Sequence, residues 1–331
     1  MYPDLKPLEG KTLLVTGGTG MIGKWMIDRL LDEVDCRIVV TGRSREKFDE
    51  RFPGRKLGFV RWDIAHERIP AIDGPVDYIV HLASNTHPVA YATDPVATIA
   101  MNVTAAKELL DLGVEKKVAR FVYASSVEVY GQNRGDVERF AEDYCGYIDC
   151  NTLRAGYPES KRCGEALCQA YAKQYGLDVV IPRIARVYGP TLLKTDTKAL
   201  SQFIADALAG RDIVLKSEGM QYYSYLHVDD AAGGILFAML RGGRGEAYNV
   251  ADGRSDIRLR DLAELIAREC GRKVVFDLPT AAEAAGFSTA TVARLDPGKI
   301  AALGWKADWG IEDGIRQTLR ELAGGERTEA R

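Results

Sequence analysis

The run Thr12-Leu13-Leu14-Val15-Thr16-Gly17-Gly18-Thr19-Gly20-Met21-Ile22-Gly23 constrains the fold more than any other stretch of this 331-residue chain. Thr12 to Val15 is a short apolar run of the length of a buried parallel strand. Met21, Ile22, Trp25, Met26, Leu30 and Leu31 then recur at helical spacing. Strand, glycine turn and helix in that order form the context of a dinucleotide-binding loop, with Thr19, Met21 and Ile22 in its binding face. Gly17 permits the tight turn, Gly20 lets the backbone approach a pyrophosphate, and Gly23 lets the helix pack close to the strand. The free N–H groups of the helix N-terminus face the anion.

The end of the second strand, Arg37-Ile38-Val39-Val40-Thr41, selects between cofactors. An acid about 20 residues past the fingerprint would bond a ribose 2′-hydroxyl and favour NAD. Here the segment reads Gly42-Arg43-Ser44-Arg45. Two guanidiniums and a hydroxyl suit a 2′-phosphate, so NADP is favoured over NAD.

Strand-like runs at 12–16, 37–41, 57–60, 76–82, 119–125 and 178–183 alternate with helical segments at 21–33, 97–112 and 157–175. Such alternation predicts an α/β fold, a Rossmann-type doubly wound parallel sheet. Chemistry is expected at the carboxyl ends of the strands, where Asp63 and Ser84 stand. Beyond about 186 the alternation weakens, with helices near 198–209, 259–270 and 311–322. The expected division is a Rossmann domain over 1–185, with 224–250 returning to it, and a smaller α/β C-terminal substrate domain over 186–223 and 251–325.

The net charge of −3 is slight and gives no electrostatic case for nucleic acid or an anionic membrane. No apolar stretch approaches a membrane span, and Met1 to Gly10 lacks a signal-peptide apolar region, so a cytoplasmic location is expected. Cys145, Cys150, Cys163 and Cys168 cluster, but their gaps are longer than in thiolate knuckles, and His66, His81, His87 and His227 show no ligand spacing. No metal is expected.

Tyr157 and Lys161 lie four residues apart and so share one face of a helix. A phenol has a pKa near about 10 and is a poor base at neutral pH. A nearby ammonium favours the phenolate. The pair therefore suits removal of a proton from an alcohol during its oxidation. The strand end Phe121-Val122-Tyr123-Ala124 delivers Ser125-Ser126-Val127-Glu128-Val129-Tyr130-Gly131 to the same edge, where a hydroxyl would hold the substrate oxygen.

With these residues the chain resembles the extended short-chain dehydrogenase/reductases, specifically the NAD(P)-dependent nucleotide-sugar epimerase/dehydratase family. The resemblance runs over nearly the whole chain. It rests on the glycine loop, Asp63-Ile64, His81-Leu82-Ala83, a helix start at Asn102-Val103, Ser-Ser-x-x-Val-Tyr-Gly and Tyr-x-x-x-Lys. It continues through Arg183-Ile184-Ala185-Arg186-Val187-Tyr188-Gly189-Pro190, Val228-Asp229-Asp230 and Leu303-Gly304-Trp305. The resemblance implies that Tyr157 removes the proton of a sugar hydroxyl, commonly at C4, and that Ser126 bonds the reacting oxygen. It implies that Lys161 holds the nicotinamide ribose and lowers the Tyr157 pKa, and that Ser125 lies nearer the nicotinamide. Asp63 and Ile64 would contact adenine, Leu82 and Ala83 would line the cofactor, and Ser84 the substrate. It also implies a homodimer built on the 97–112 helix and the helix starting at Tyr157.

Glu128 stands where the family's 4,6-dehydratases and nucleotide-sugar decarboxylases carry a Glu, which would take the C5 proton with a pKa raised by burial. Val127 replaces the acid that dehydratases carry beside it, and an isopropyl group cannot protonate a leaving hydroxide. Epimerisation or decarboxylation is therefore favoured over dehydration. Two departures bear on the substrate. Arg186 stands where the family often has Asn, and Tyr223 where it has a phosphate-binding Arg. Arg186 would grip a diphosphate or a substrate carboxylate. Tyr222, Tyr223 and Tyr225 would stack on a pyrimidine base or fill the core. Arg154, in a long 131–156 loop that is either a lid or a solvated connection, is a further candidate for a substrate anion. The competing readings are an NADPH-dependent reductase or dehydrogenase of a non-nucleotide alcohol or ketone, and a catalytically silent dinucleotide-binding protein.

Overall fold

The computed structural model describes residues 1–86, 93–193, 196–278 and 291–329, without the side chains of 325–329. His87 lies outside the described residues. Strands β1 (Thr12–Thr16), β2 (Arg37–Gly42), β3 (Gly58–Arg61), β4 (Tyr78–His81), β5 (Arg120–Tyr123), β6 (Ser125–Ser126), β7 (Val179–Ile184) and β11 (Ala247–Val250) form one parallel sheet. Its order is β11-β7-β5-β4-β1-β2-β3, with β6 continuing β5 alongside β7. The direction of winding reverses between β1 and β4, the switch point where open α/β sheets bind ligands.

The apolar runs become strands buried on both faces. Leu13 and Val15 of β1 point into one core, with Ile38 and Val40 of β2 and Val80 of β4. Leu14, Val39, Ile79 and Phe121 point into the other. This period of two, apolar in both phases, is the signature of a sheet covered by helices on both sides. Helices α1 (Met21–Glu33) and α6 (Val228–Arg241) supply Met26, Ile27, Leu30 and Ile235 to the first core. Helices α3 (Pro95–Lys116) and α4 (Gly156–Tyr175) supply Leu109, Leu110 and Cys168 to the second. A short helix α2 (Arg45–Arg51) follows β2.

The second layer is built on β10 (Tyr222–His227). It pairs with β8 (Arg186–Tyr188) and β14 (Val292–Ala293) in parallel and with β12 (Asp256–Arg258) antiparallel. Strands β9 (Ile213–Leu215) and β13 (Val274–Phe276) pair separately. Among the described residues, helices α5 (Ala199–Leu208), α7 (Leu259–Glu269), α8 (Gly298–Ala302) and α9 (Ile311–Glu329) belong to this half of the chain.

Four local expectations change. Residues 224–227, expected to return to the large sheet, pair in the small one; the return runs from Val228 through α6 to β11. The 119–125 strand breaks at Ala124, whose carbonyl accepts Lys161 Nζ at 2.8 Å. Asn102 is not a helix start but a buried residue well inside α3, which begins at Pro95 with Asp94 as its N-cap. The 131–156 loop is pinned rather than lid-like. Phe140 is fully buried and stacks between Tyr130 and Tyr144, at 5.0 and 4.8 Å between ring centroids. Its backbone exchanges hydrogen bonds with Arg294 and Asp296.

Candidate active site

The glycine loop closes on the end of β4. Gly17 has φ +70°, and a Cβ there would stand 2.7 Å from the Ala83 nitrogen. A Cβ on Gly23 would stand 2.4 Å from the Gly17 carbonyl oxygen. Both positions therefore exclude a side chain. The Leu82 and Ala83 N–H groups donate to the Thr16 carbonyl and hydroxyl, each at 3.2 Å, and Thr16 Oγ1 also bonds His81 Nδ1 at 2.8 Å. Burial, reinforced by the Lys161 charge, holds the His81 imidazole down at about 3 and hence neutral.

Helix α1 starts at Met21 behind Gly20, with no side-chain cap and no acid in its first turn. Its leading N–H groups are thus donors without an intrahelical acceptor at the end of β1, which suits a pyrophosphate. Residues 16–23 with Leu82 and Ala83 fit an NAD-type dinucleotide on that observation.

The expected 2′-phosphate cluster is not assembled as read. Ser44 Oγ is the N-cap of α2 and accepts the Lys47 N–H at 3.1 Å. Arg45 pairs with Asp49 at 2.9 Å and stacks over Phe48. Arg43 is exposed and close enough to Asp63 to act on its carboxyl. Asp63 accepts the Ala65 N–H at 3.3 Å and pairs with His66, and Ile64 packs at the margin of the second core.

Across the sheet edge, Tyr157 stands in the first turn of α4 and Lys161 one turn on, both buried. The Ser126 hydroxyl hydrogen-bonds Tyr157. Burial pushes the phenol up to about 12, and the Glu128 charge adds to this; Ser126 and Arg154 act the other way. Lys161 does not depress the phenol as expected. Its ammonium turns to the Ala124 carbonyl, 6.0 Å from the Tyr157 ring centre, and burial pulls it down to about 7 against the opposing charge of Glu165. The groups that favour the phenolate in this structure are Ser126 and Arg154.

Ser84 and Ser125 each have a hydrogen-bond partner within the protein. Ser84 Oγ donates to Asn102 Oδ1 at 2.9 Å, Asn102 Nδ2 donates to Ser160 Oγ at 3.0 Å, and Ser160 Oγ donates to the Tyr157 carbonyl at 2.8 Å. This relay ties the segment after β4 to α3 and α4. Ser125 Oγ donates to Glu165 Oε1 at 2.5 Å. Glu165 in turn is gripped by Arg183 through both carboxylate oxygens, at 3.0 and 2.6 Å, and Arg183 Nη1 reaches the Tyr130 hydroxyl at 3.0 Å. Sequence reasoning gave Glu165 no role, although it stands one turn after Lys161. A cation at Arg183 inside the otherwise apolar β7 run was the available signal of a buried partner.

Glu128 lies in the short 3₁₀ turn Val127–Tyr130, with Arg154 Nη2 3.4 Å from Oε2 and Arg186 Nη2 3.6 Å from Oε1. Arg186 lies flat over Tyr223, its Cζ 3.8 Å from the ring centre. Tyr223 and Tyr225 are buried in the small sheet and meet edge to face. The six cysteines are free thiols, and among the described residues no cluster of metal-ligating side chains occurs. Among the described residues no helix is long and apolar enough to cross a membrane.

Comparison with known proteins agrees with this geometry. The chain is 33% identical over 250 residues to UDP-glucuronic acid decarboxylase 1 of Xenopus tropicalis, covering 72% of this chain and 56% of that protein. It thus spans little more than half of that relative. It is 32% identical over 263 residues to UDP-glucuronic acid decarboxylase 6 of Arabidopsis thaliana, covering 77% of this chain and 73% of that protein. Among solved structures, a dTDP-glucose 4,6-dehydratase of Streptomyces venezuelae with NAD bound superposes with a TM-score of 0.79. The two are 26% identical, and the match covers 96% of this chain and 98% of that one. The UDP-glucose 4-epimerase of Thermotoga maritima shares the fold, with a TM-score of 0.81 at 22% identity over 95% of this chain and 99% of that one. The model of the NAD dependent epimerase/dehydratase family matches residues 13–251, and the chain belongs to that family.

Proposed function

We propose that this protein is a nucleotide-sugar enzyme that transiently oxidises the sugar at C4, with decarboxylation of a hexuronate as the outcome the site supports best. The observation that carries the reading is the hydrogen-bonded Ser126–Tyr157 pair facing the dinucleotide loop, with Glu128 and Arg154 alongside. Ser126 holds the C4 oxygen and Tyr157 takes its proton. Ser126 and Arg154 pull the phenol toward phenolate, and a bound nicotinamide supplies the two-electron acceptor and a positive charge acting in the same direction. Lys161, freed from the Ala124 carbonyl, is the group placed to hold the nicotinamide ribose.

A sugar with a C4 ketone and a carboxylate on C5 is a β-keto acid. The bond to the carboxylate breaks with its electron pair drawn toward the C4 oxygen that Ser126 and Tyr157 hold. Carbon dioxide leaves, C5 takes a proton, and the ketone is reduced back. Val127 is apolar and buried, so no acid stands between Ser126 and Glu128 to protonate a departing hydroxide. That argues against dehydration. Both relatives described above are named as UDP-glucuronic acid decarboxylases.

NADP in place of NAD rests on Arg43 alone, since Ser44 and Arg45 are engaged within α2. A homodimer is part of the reading. Val96 and Ile99 of α3 and Leu153 beside α4 are exposed apolar side chains on the pair of helices that would meet a second copy. Six free thiols suit a reducing compartment such as the cytoplasm.

The test is mass spectrometry and proton NMR of UDP-, dTDP-, GDP- and CDP-sugars, UDP-glucuronate included, incubated with the purified protein and NAD or NADP. Loss of carbon dioxide without net consumption of cofactor is expected. Turnover only of a non-nucleotide alcohol or ketone, with stoichiometric use of NADPH, would replace this reading by that of a reductase.

A further inference from the structure

Glu165 takes no part in the reaction as proposed, yet it anchors a buried polar cluster at the rim of the large sheet. Its Oε1 accepts the Ser125 hydroxyl at 2.5 Å and Arg183 Nε at 3.0 Å, and its Oε2 accepts Arg183 Nη2 at 2.6 Å. The three residues come from three elements, α4, β6 and β7. Strand β6 is two residues long, and its register sets Ser125 opposite Arg183 and Ser126 opposite Ile184. Glu165 thus reaches from the helix to the residue directly before Ser126. A two-pronged pair with a third donor fixes the position of the carboxylate, and so the position of its charge.

Lys161 stands four residues before Glu165, so the two share one face of α4. The Lys161 ammonium is buried and bonded to the Ala124 carbonyl at 2.8 Å, with the Tyr123 ring centre 4.9 Å away and that of Tyr157 6.0 Å away. Burial disfavours its charge, and the negative charge of Glu165 opposes that. The other titratable groups around Lys161 are neutral near neutral pH. The His81 imidazole on β4 is held down at about 3 and the Tyr157 phenol up at about 12. Burial pushes the Cys168 thiol and the Tyr123 phenol well above their ordinary values. Among these described neighbours, Glu165 is the one that carries a charge.

We infer that Glu165 is a positioning residue for the cofactor side of the site: clamped by Ser125 and Arg183, its carboxylate keeps Lys161 an ammonium able to hold the nicotinamide ribose. The inference rests on the role proposed above for Lys161 and extends it to the residue one turn on. Arg183 neutralises part of the Glu165 charge, so the two partners of one ion pair act on Lys161 in opposite senses. Removing the Glu165 charge makes the ammonium less favourable. Removing Arg183 leaves the carboxylate less compensated and makes the ammonium more favourable. A pair that served the fold alone would have the same effect whichever partner was lost.

The test is calorimetric titration of the protein with NAD across the neutral range, in which NAD itself carries no titrating group. Wild-type affinity is expected to fall as pH rises above about 7, where Lys161 loses its proton. Lys161→Met should abolish that part of the fall, and the difference isolates Lys161 from groups at the adenine end such as His66. In Glu165→Gln the fall should begin about one pH unit lower or more, and in Glu165→Asp, which keeps the charge, within about half a unit of the parent. Arg183→Gln should unfold more easily and yet begin its fall at or above the parent pH. Coincident curves for wild type and Glu165→Gln would overturn the inference, as would equal downward shifts in Glu165→Gln and Arg183→Gln, which assign the pair to the fold alone. A wild type with the pH dependence of Lys161→Met would remove Lys161 from the ribose and Glu165 from the site. If thermal unfolding shows that Glu165→Gln does not fold, Glu165→Asp and Arg183→Gln decide, and a fall beginning well below the parent pH in either overturns the inference. Because NAD binding is read and not turnover, a protein that converts no nucleotide sugar would lose the reading above while these outcomes still decide this one.

Discussion

Ser126, Tyr157 and Lys161 line the rim of the large sheet, and buried atoms fix them. Lys161 bonds a main-chain carbonyl, Ser126 continues a paired strand, and the Tyr157 backbone is tied through Ser160 and Asn102. On the opposite side Glu128, Arg154 and Arg186 hold one another through loose, partly exposed ion pairs and one stacked ring. The first region is preorganised by the fold and, in the proposed function, carries the oxidation. The second is set by side chains alone, and substitutions there change the ligand without disturbing the sheet. On the proposed function, the difference separates a part of the site fixed by the fold from a part free to vary.

The strongest way to break this comparison is Tyr157→Phe. The ring stays and its packing is kept, but the proton acceptor is gone. Turnover of whichever sugar proves active should fall by about 10²–10⁴-fold, the usual range for a lost acid–base group, with substrate affinity nearly unchanged. A variant within a few-fold of the parent would show that proton transfer does not pass through the sheet rim.

The next effect is on stability. Arg183 and Glu165 are 13% and 12% exposed and form a two-pronged pair that also receives Ser125 and reaches Tyr130. Arg183→Gln leaves the Glu165 carboxylate buried without its cation, at a cost of about 3–5 kcal/mol. Urea unfolding monitored by circular dichroism measures this. A loss under about 1 kcal/mol would mean that the rim is no better anchored than the opposite side.

Much of this region was legible in the sequence, because apolar runs and glycines report local geometry. The reading of 12–16 and of 21–33 coincides with β1 and α1, and the parallel sheet covered by helices follows from strand–helix alternation. Side-chain partners were not legible. The i, i+4 spacing of Tyr157 and Lys161 places both on one face but does not say that the ammonium turns to Ala124. Ser44 looked like a phosphate ligand because a hydroxyl between two arginines is ambiguous; the polar helix after it, too short for a clear period, made it an N-cap. Glu165 meets Arg183 only because α4 is laid across β7, a tertiary fact with no local signature.

A smaller effect appears as pH dependence. The folded Lys161 value, about 7, lies below its ordinary 10.5, because burial disfavours the ammonium. Between those two values the unfolded chain binds more protons than the folded one, so the Lys161 contribution to stability rises with pH. The penalty is complete below about pH 7 and vanishes as pH passes 10.5. Relative to Lys161→Met, which carries no charge, wild type should gain stability from pH 7 to 10, at no more than about 1.4 kcal/mol per pH unit. Tyr157 works in the opposite direction only above pH 10, where the unfolded phenol ionises first. Parallel stability curves for the two proteins would remove Lys161 from the list of strained buried groups.

The smallest expected effect concerns Glu128 and sharpens the contrast most directly. Its carboxylate has two cationic neighbours, which at first sight makes it a structural centre. Yet the contacts are long, and Glu128, Arg154 and Arg186 are 23%, 40% and 21% exposed. Water therefore screens them, and partly exposed pairs of this kind contribute about 0–1 kcal/mol. Glu128→Gln keeps the shape and removes the charge, so unfolding free energy should change by less than about 1 kcal/mol. A loss comparable to that of Arg183→Gln would mean that this side is a structural ion-pair network that serves the fold.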